Sequence, residues 1–497
     1  MLDAITDTLR PHTFSYWTRS LMRRDLHAII DAAIHAVQPE HLVTRRVRVG
    51  EASLLLDNAP LPDPISLAGS GRVVIVGGGK AAAGMAAGLV DVLARGGVAS
   101  DRISGIVSVP AGCGQPVSGV EVRETRPATE NFPTPAAVSA TREMLVLLES
   151  LAADDVVVAL ISGGGSALLA APRQGVPLDE KIAVARFLSA AGAAITEINC
   201  VRRAASDVKG GGLARACEAG RMLVLVLSDV IGDPLESIAS GPCMPAGGDP
   251  TQALAVLERY GAVAANVAPR LVALLRHEVP RLTSASDDGV CPRDSSWTTL
   301  RGCRVDHVLL GSNATAVDAA AEAASRLGYA ATIRRADPGI AETADEVGRR
   351  LAREGSALAA ATEADGQSRA IIEGGEAVVR LPANHGLGGR NQQTVAAALA
   401  DMLDRGMPWP PGLTLASVGT DGEDGPTRAA GAVIDSGLAT RTATLGLDVS
   451  TAVAHCNTAP LLEAAGGLIV TGPTGTNVAD IRILQAVPPQ ARGPGMH

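Results

Sequence analysis

Aromatic residues are scarce. Phe, Tyr and Trp make up 2% of the 497 residues, too few for the stacking surfaces that hold single-stranded nucleic acid. Basic surface is also missing. The formal net charge is -9, and the arginine runs at 19–24 and 45–48 are short, which argues against a nucleic-acid partner. The seven cysteines are scattered, odd in number and without a C-x-x-C pair. That fits a reduced, cytoplasmic interior better than a disulfide frame, and no zinc spacing occurs. No run of 18 apolar residues could cross a membrane, and the start "MLDAITDTLRPHTFSYW" has neither the apolar core nor the cleavage site of a signal peptide. G-x-S-x-G is absent, so a hydrolase elbow has no support.

Hydrophobic residues at 46% and charged residues at 19% describe a globular chain, and its length sets a prior of two or three domains. Residues 17–37 carry apolar side chains at helical spacing (Leu21, Leu26, Ile29, Ile30, Ala33, Ile34), predicting a leading helical arm. A Pro/Leu-rich stretch at 60–66 comes next. From Val73 a pattern recurs. An apolar run ends in a glycine or small-residue loop and a helical stretch follows: Val73–Val76, Val156–Ile161, Leu223–Leu227 and His307–Leu310. Strands apolar on both faces and alternating with helices predict an α/β fold with mostly parallel sheets flanked by helices, Rossmann-like in layout. The Ser/Asp/Pro-rich segment 279–303 reads as a boundary. The expected division is 1–290, then a second α/β domain over 304–487 (runs at Ala370–Leu381, Leu413–Gly422, Ala429–Asp435 and Leu468–Val470), then a tail, 488–497. Asp249-Pro250 reads as a helix start, with a capping carboxylate before a proline at the first helical position.

In such sheets ligands sit at the carboxyl ends of strands, and the chemistry-bearing residues fall in the loops there. "GGGKAAAGM" contains Gly77-x-Gly79-x-x-Ala82, a weak dinucleotide pattern without a clear ribose-binding acid. Its distinctive residue is Lys80, a point charge at a helix N-terminus beside Gly78 and Gly79, suited to a phosphate or carboxylate. It is not a Walker lysine, because G-x-x-x-x-G-K-[ST] is absent. Ser162-Gly163-Gly164-Gly165-Ser166 permits positive φ and close approach to an oxyanion. "NCVRRAASDVKGGG" places Asn199, Arg202, Ser206 and Lys209 before Gly210 and Gly211. "LSDVIGDPLES" offers Asp229 as a candidate Mg²⁺ ligand, whereas Asp233 before Pro234 reads as a helix cap. The second unit adds Glu376, then Arg390 and Asn391 in "GGRNQQ", Thr420, Asp421 and Asp424 in "GTDGEDGPT", and Thr471, Thr474, Thr476 and Asn477 in "TGPTGTNVAD". An arginine opening a helix suits the gripping of carboxylate or phosphoryl groups. His385 and His455 have no metal-type partner at a local spacing and read as ordinary surface or core histidines.

"VGGGKAAAGM", "LISGGGSALL", "VKGGGLA", "LSDVIGDPLESIASGP", "GGRNQ", "GTDGEDGPT" and "TGPTGTNV" occur in an order that resembles the class II glycerate 2-kinases, whose C-terminal part is called the MOFRL domain. The likeness runs from about residue 20 to about 487. It implies two α/β domains with the active site in the cleft between them, and phosphorylation of the 2-hydroxyl of D-glycerate by ATP with Mg²⁺. It places the family's essential lysine and arginine on Lys80 and Arg390. The chain departs from the family at Arg126-Pro127-Ala128-Thr129-Glu130, at Ala204 where a histidine is usual, and at Asn457-Thr458-Ala459, so a different hydroxy acid becomes a candidate acceptor. The expected roles are neutralisation of the transferring phosphoryl group, or a grip on the acceptor carboxylate, by Lys80 and Arg390, with Lys209 and Arg202 adding charge. Asp229, and Asp421 after it, hold Mg²⁺ or take the hydroxyl proton. The glycine loops at 163–165 and 210–212 donate N–H groups to ATP. The alternatives are an NAD(P)H-dependent hydroxypyruvate reductase and a non-catalytic nucleotide-binding homologue. The expected partners are a small hydroxy acid and ATP.

Overall fold

The structure is a computed structural model, and it describes residues 21–57, 64–128, 131–245, 247–282, 296–339 and 341–488. Thr129, Glu130, residues 17–20 and 60–63, and the tail beyond 488, all singled out above, lie outside them.

The first sheet holds β1 (Val73–Gly78), β2 (Ile103–Pro110), β3 (Val120–Arg126), β4 (Val156–Ser162), β5 (Arg221–Leu227) and β6 (Arg304–Gly311) in the order β3-β2-β1-β4-β5-β6. All five pairings are parallel, and a short strand, Ser296–Thr298, adds to the far edge antiparallel to β6. This is the doubly wound order whose direction reverses between β1 and β4, where ligands bind in such sheets. β1 and β4 are buried along their whole length, because helices cover both faces. Both lead into the glycine loops singled out above.

The boundary at 304 does not hold. Arg304–Gly311 pairs with β5, so the chain returns to the first sheet before leaving it. The Ser/Asp/Pro-rich run before it looks like a linker because it is polar, not because a domain ends there. No α-helix follows Asp233 either. Its φ is +55°, and only a 3₁₀ turn at Ile238–Ser240 comes after. The Asp249 cap is present: its carboxylate accepts from the N–H groups of Thr251 (2.8 Å) and Gln252 (3.3 Å). Helices Leu178–Ala190, Ile195–Ala204, Pro250–Arg259 and Pro269–Leu282 form a side lobe on the first domain with its own small core, including Leu188, Ile198, Leu257 and Leu271.

The second sheet contains β7 (Ala330–Arg334), β8 (Arg369–Gly375), β9 (Leu413–Gly419), β10 (Gly431–Asp435), β11 (Leu468–Ile469) and β12 (Asp480–Ala486) in the order β7-β8-β12-β9-β10-β11. Only β7–β8 is parallel; the other four pairings are antiparallel. The two-domain α/β fold stands, but the expectation of mostly parallel strands fails for this sheet. Burial on both faces reports helical cover, not direction. No helix lies between β9 and β10, so that pair turns directly back on itself, and β12 enters between β8 and β9 antiparallel to both.

The leading helix Leu21–Ala36 lies on the second domain. Arg23 pairs with Asp435 at 2.7 Å, and Tyr329 donates to Asp25 at 2.9 Å. The next helix, Pro39–Arg46, packs on the first domain, where Pro39 lies against Gly84, and the Glu40 backbone against Gly88, of the helix Ala82–Arg95. One apolar core runs through this arm, joining Ile75 and Leu225 of the first sheet to Ile372 and Ile483 of the second by way of Leu26 and Ile29.

Candidate active site

At the switch point the two loops are locked together. Lys80 N–H donates to Gly163 O at 2.9 Å, and Ala81 N–H to Ser162 Oγ at 3.1 Å. Glycine is needed at 79 because a Cβ there would lie 2.0 Å from Ser162 Oγ. Gly78 is packed on Leu169, and the N–H of Gly79 goes to Ser108 O. Gly78, Gly79 and Ser162 therefore hold the loops close rather than offering donors to a cofactor. Gly163 and Gly164 are different. A Cβ on Gly163 would meet the Asp229 carboxylate at 2.2 Å, and one on Gly164 would lie 3.1 Å from Arg126 and 3.9 Å from the Lys80 side chain. The bare backbone of this loop thus forms the floor between Lys80, Asp229 and Arg126. Gly165 and Ser166 open the one-turn helix that follows.

The Lys80 ammonium crosses to the second domain. It lies 3.0 Å from Asp421 Oδ2 and 2.6 Å from Glu423 Oε2. Burial, the largest single influence, works against its charge, but the two carboxylates outweigh it and hold the ammonium above its ordinary pKa. Asp229, at the end of β5, faces the same space. Asn477 reaches it from the second domain at 3.4 Å. Burial, with the negative charges of Glu376 and Asp421 added, pushes Asp229 up to about 6 although Lys80 pulls the other way. Burial raises Glu376 too, against the pull of Arg390.

Arg390 opens the helix Arg390–Asp404 and is held from below. Its Nε and Nη2 grip Asp480 at 2.6 and 2.9 Å, and its Nη1 meets Glu376 at 2.8 Å. Asp480 is fully buried. It lies in the quoted "TGPTGTNVAD" motif, but sequence reading gave it no role; its only signal was a carboxylate opening the apolar run of β12. Asp424 caps this helix by accepting from the N–H groups of Asn391 (2.9 Å) and Gln392 (2.8 Å), and burial raises it to about 6. Asn391 is a supporting residue. Its amide donates to Asp424 and Asp480, and its oxygen accepts from Ser417. Thr420 and Thr474 tie the Asp421 loop to the loop before β12, and Thr476 bonds Val37 of the arm. The Thr471 hydroxyl donates to Gly472 O within its own loop.

The third glycine loop donates nothing outward. The N–H groups of Gly210, Gly211 and Gly212 go to the carbonyls of Ser240, Gly241 and Lys209, so the expectation that they cradle ATP phosphates is corrected. Asn199 and Ser206 also turn inward: Asn199 accepts from Arg202 and Ser240, and Ser206 donates to Ala171 O. Lys209, Arg202 and Ser166 line a small cavity on the side-lobe face of the same loop. Of the departures, Arg126, Ala204 and Thr458 are all buried; Arg126 is the one that lies against the glycine loop, 3.1 Å from where a Cβ on Gly164 would stand. His455 and His385 lie on the surface side of the second domain, where His385 meets Gly386 O at 3.0 Å. Among the described residues no cluster of three or more metal-type side chains is assembled.

Fold and site together define a class: a two-domain α/β protein with a doubly wound first sheet and an interdomain cleft holding opposed cations and carboxylates. Residues 25–276 match the domain of unknown function DUF4147, and residues 369–480 match the MOFRL family. A human glycerate kinase is 35% identical, covering 83% of this chain and 84% of that protein. The D-glycerate 2-kinase of Thermotoga maritima is 34% identical over 83% of this chain and 90% of its own. The crystal structure of a Thermotoga maritima glycerate kinase superposes with a TM-score of 0.72 at 30% identity, covering 94% and 99%. That of a Pyrococcus horikoshii protein gives 0.73 at 28%, covering 95% and 99%. The chain belongs to this glycerate kinase family, built from DUF4147 and MOFRL domains.

Proposed function

We propose that this protein transfers the γ-phosphoryl group of ATP to the 2-hydroxyl of D-glycerate or a closely related hydroxy acid, in the cleft between its domains. The observation that carries the reading is Lys80 reaching Asp421 and Glu423 of the other domain, with Asp229 and Arg390 bordering the same space. Phosphoryl transfer asks a protein for positioning and charge stabilisation more than covalent chemistry. Lys80 and Arg390 supply the positive charge. A carboxylate held near pH 6, such as Asp229, is ionised at neutral pH and basic enough to take the hydroxyl proton. The bare backbone at Gly163 and Gly164 lets a substrate oxygen approach between Lys80 and Asp229.

The donor set also fits Mg²⁺, which typically takes one or two carboxylates and fills its shell with water and phosphate oxygens. Asp229 is pressed upward first by burial and then by the negative charges of Glu376 and Asp421, with Asn477 as a side-chain donor at 3.4 Å, and a cation would relieve that strain. Asp229 and Asp421 would hold the ion, which when bound neutralises charge on the ATP phosphates. No helix among the described residues is long and apolar enough to cross a membrane, and the six described cysteines are unpaired, in keeping with work in the cytoplasm. The reductase alternative finds no support in the relatives' names.

A coupled ATP assay over a panel of three- and four-carbon hydroxy acids tests the reading. D-glycerate or a near relative is expected to be phosphorylated. Lys80→Ala should lower kcat by about 10²–10³-fold with little change in melting temperature. Turnover of no hydroxy acid, or a folded Lys80→Ala enzyme losing only a few-fold, would sink it.

A further inference from the structure

Lysine is rare here. Of 43 basic residues only three are lysines: Lys80, Lys181 and Lys209. Arginine carries nearly all the positive charge, so a compact ammonium is kept at very few places. Two of the three line one cavity of about 70 Å³ in the first domain, together with Arg202, Ser166 and Phe132. Lys209 spends its donors on Ser166 O, Ser166 Oγ and Ala239 O, at 2.9, 2.9 and 3.2 Å. Arg202 gives one N–H to Asn199 at 3.3 Å. Lys181, from the helix Leu178–Ala190, is only 5% exposed, and its ammonium has no hydrogen-bond partner among the described residues. The nearby carboxylate, Asp207, is itself shared with Arg142 and Arg173. A desolvated ammonium without a partner is costly, and a cavity lined by two further cations asks for an anion.

We propose that this cavity is the subsite for the carboxylate of the acceptor acid, with Lys181 as its principal ligand and Arg202 as the second. This rests on the kinase reading above. Size favours the acid over the nucleotide: 70 Å³ suits a small carboxylate, whereas a cavity of about 510 Å³ beside Arg390 and Glu376, walled by Val378, Val379 and Leu381, has the volume for a nucleoside. Position favours it as well. The loop Ser162–Ser166 is the shared wall, with Ser166 on this cavity at one end and Gly163 against Asp229 at the other. The 2-hydroxyl is carried by the carbon bonded to the carboxylate, so an acid held here presents it at the Ser166 end of that loop, whose other end is Gly163. Burial lowers Lys181 to about 7; Asp207 opposes this, while Arg202 and Arg142 add to it, and Lys209 shares the same field. Acid binding is therefore expected to weaken as the pH rises above about 7.

The test titrates D-glycerate and D-glyceramide, which lacks the carboxylate, into the full-length wild type, Lys181→Met and Lys181→Arg by calorimetry without nucleotide. Both KM values are measured in parallel. The wild type should prefer glycerate over the amide at least tenfold. Lys181→Met should erase that preference and raise the KM for the acid at least tenfold, leaving the KM for ATP within twofold. Lys181→Arg should keep most of the preference and lose the weakening above pH 7. A rise in the KM for ATP instead would hand the cavity to a donor phosphate and overturn the proposal. Unchanged preference in Lys181→Met would show a structural lysine and overturn it too. If Lys181→Met does not fold, the pH dependence of Lys181→Arg against wild type decides. A wild type that turns over no hydroxy acid refutes the kinase reading, while the glycerate–glyceramide comparison still judges the subsite.

Discussion

Replacing Asp480 by asparagine removes the negative charge beneath Arg390 and leaves the volume of the site unchanged. Arg390 would lose the carboxylate that grips it through Nε and Nη2 at 2.6 and 2.9 Å and keep only Glu376. Removing one partner of a fully buried pair costs about 3–5 kcal/mol. The Arg390 side chain is 31% exposed while Asp480 is 1% exposed, so water screens part of the loss and about 2–3 kcal/mol is expected. The arginine would then lean toward Glu376 and away from the transferring group. One misaligned donor costs roughly 10²-fold in kcat, about 2.7 kcal/mol at 1.36 per decade, with a smaller change in the KM for ATP. The assay is a double-mutant cycle of Asp480→Asn and Arg390→Met, followed by chemical denaturation and steady-state kinetics. Coupling of about 2 kcal/mol in both readouts is expected, since the second substitution removes what the first had misplaced. Effects that add within about 0.5 kcal/mol would refute the view that Asp480 acts through Arg390.

With Asp229 raised to about 6 by burial in the metal-free protein, Mg²⁺ binding should weaken as the pH falls through that value and set an acid limb at or below it. Glu376→Gln removes a negative neighbour and should move that limb to lower pH; an unmoved limb would separate the two residues. Stability runs the other way. A carboxylate raised from 3.8 favours the folded state most in acid, and that contribution is lost as the pH rises through about 6, which proton-linked denaturation between pH 4 and 7 would register. Gly79→Ala, at φ +148° and 2.0 Å from Ser162 Oγ, should fail to fold stably. Gly163→Ala, which presses on the Asp229 carboxylate, should fold and lose activity; the opposite order of severity in melting and kinetics would contradict the placement of both glycines.

Much of the first domain was legible in the chain itself. Apolar runs ending in glycine loops marked β1 and β4, and their adjacency at the switch point sets the Lys80 loop against the Gly163 loop. The direction of the second sheet was not legible, because helices on both faces make antiparallel strands as apolar as parallel ones. The glycines misled where they were read as phosphate donors. At 79 and 210 they serve close backbone approach and positive φ, demands that a sequence states in the same letter as ligand binding. Asp480 and Lys181 escaped notice for another reason. Each stands in an ordinary amphipathic context, and its meaning arises only from partners 90 residues away, as with Arg390, or from a cavity assembled from four separate segments.

The leading arm ties the two halves together. Residues 21–36 lie on the second domain and 39–46 on the first, while β6 belongs to the first sheet although it comes after the side lobe. The chain therefore passes between its halves more than once, and no single cut yields two whole pieces. Severing it between 282 and 296 would strip the first sheet of β6 and the short edge strand beside it and leave the second half without the helix that covers it. Expression of either half alone should expose apolar surface and aggregate. A split enzyme would have to carry the arm with the C-terminal fragment and β6 with the N-terminal one, as a circular permutant could arrange. Two links therefore cross between the halves, at residues 36–39 and directly after β6, and together they oppose free separation of the halves across the cleft.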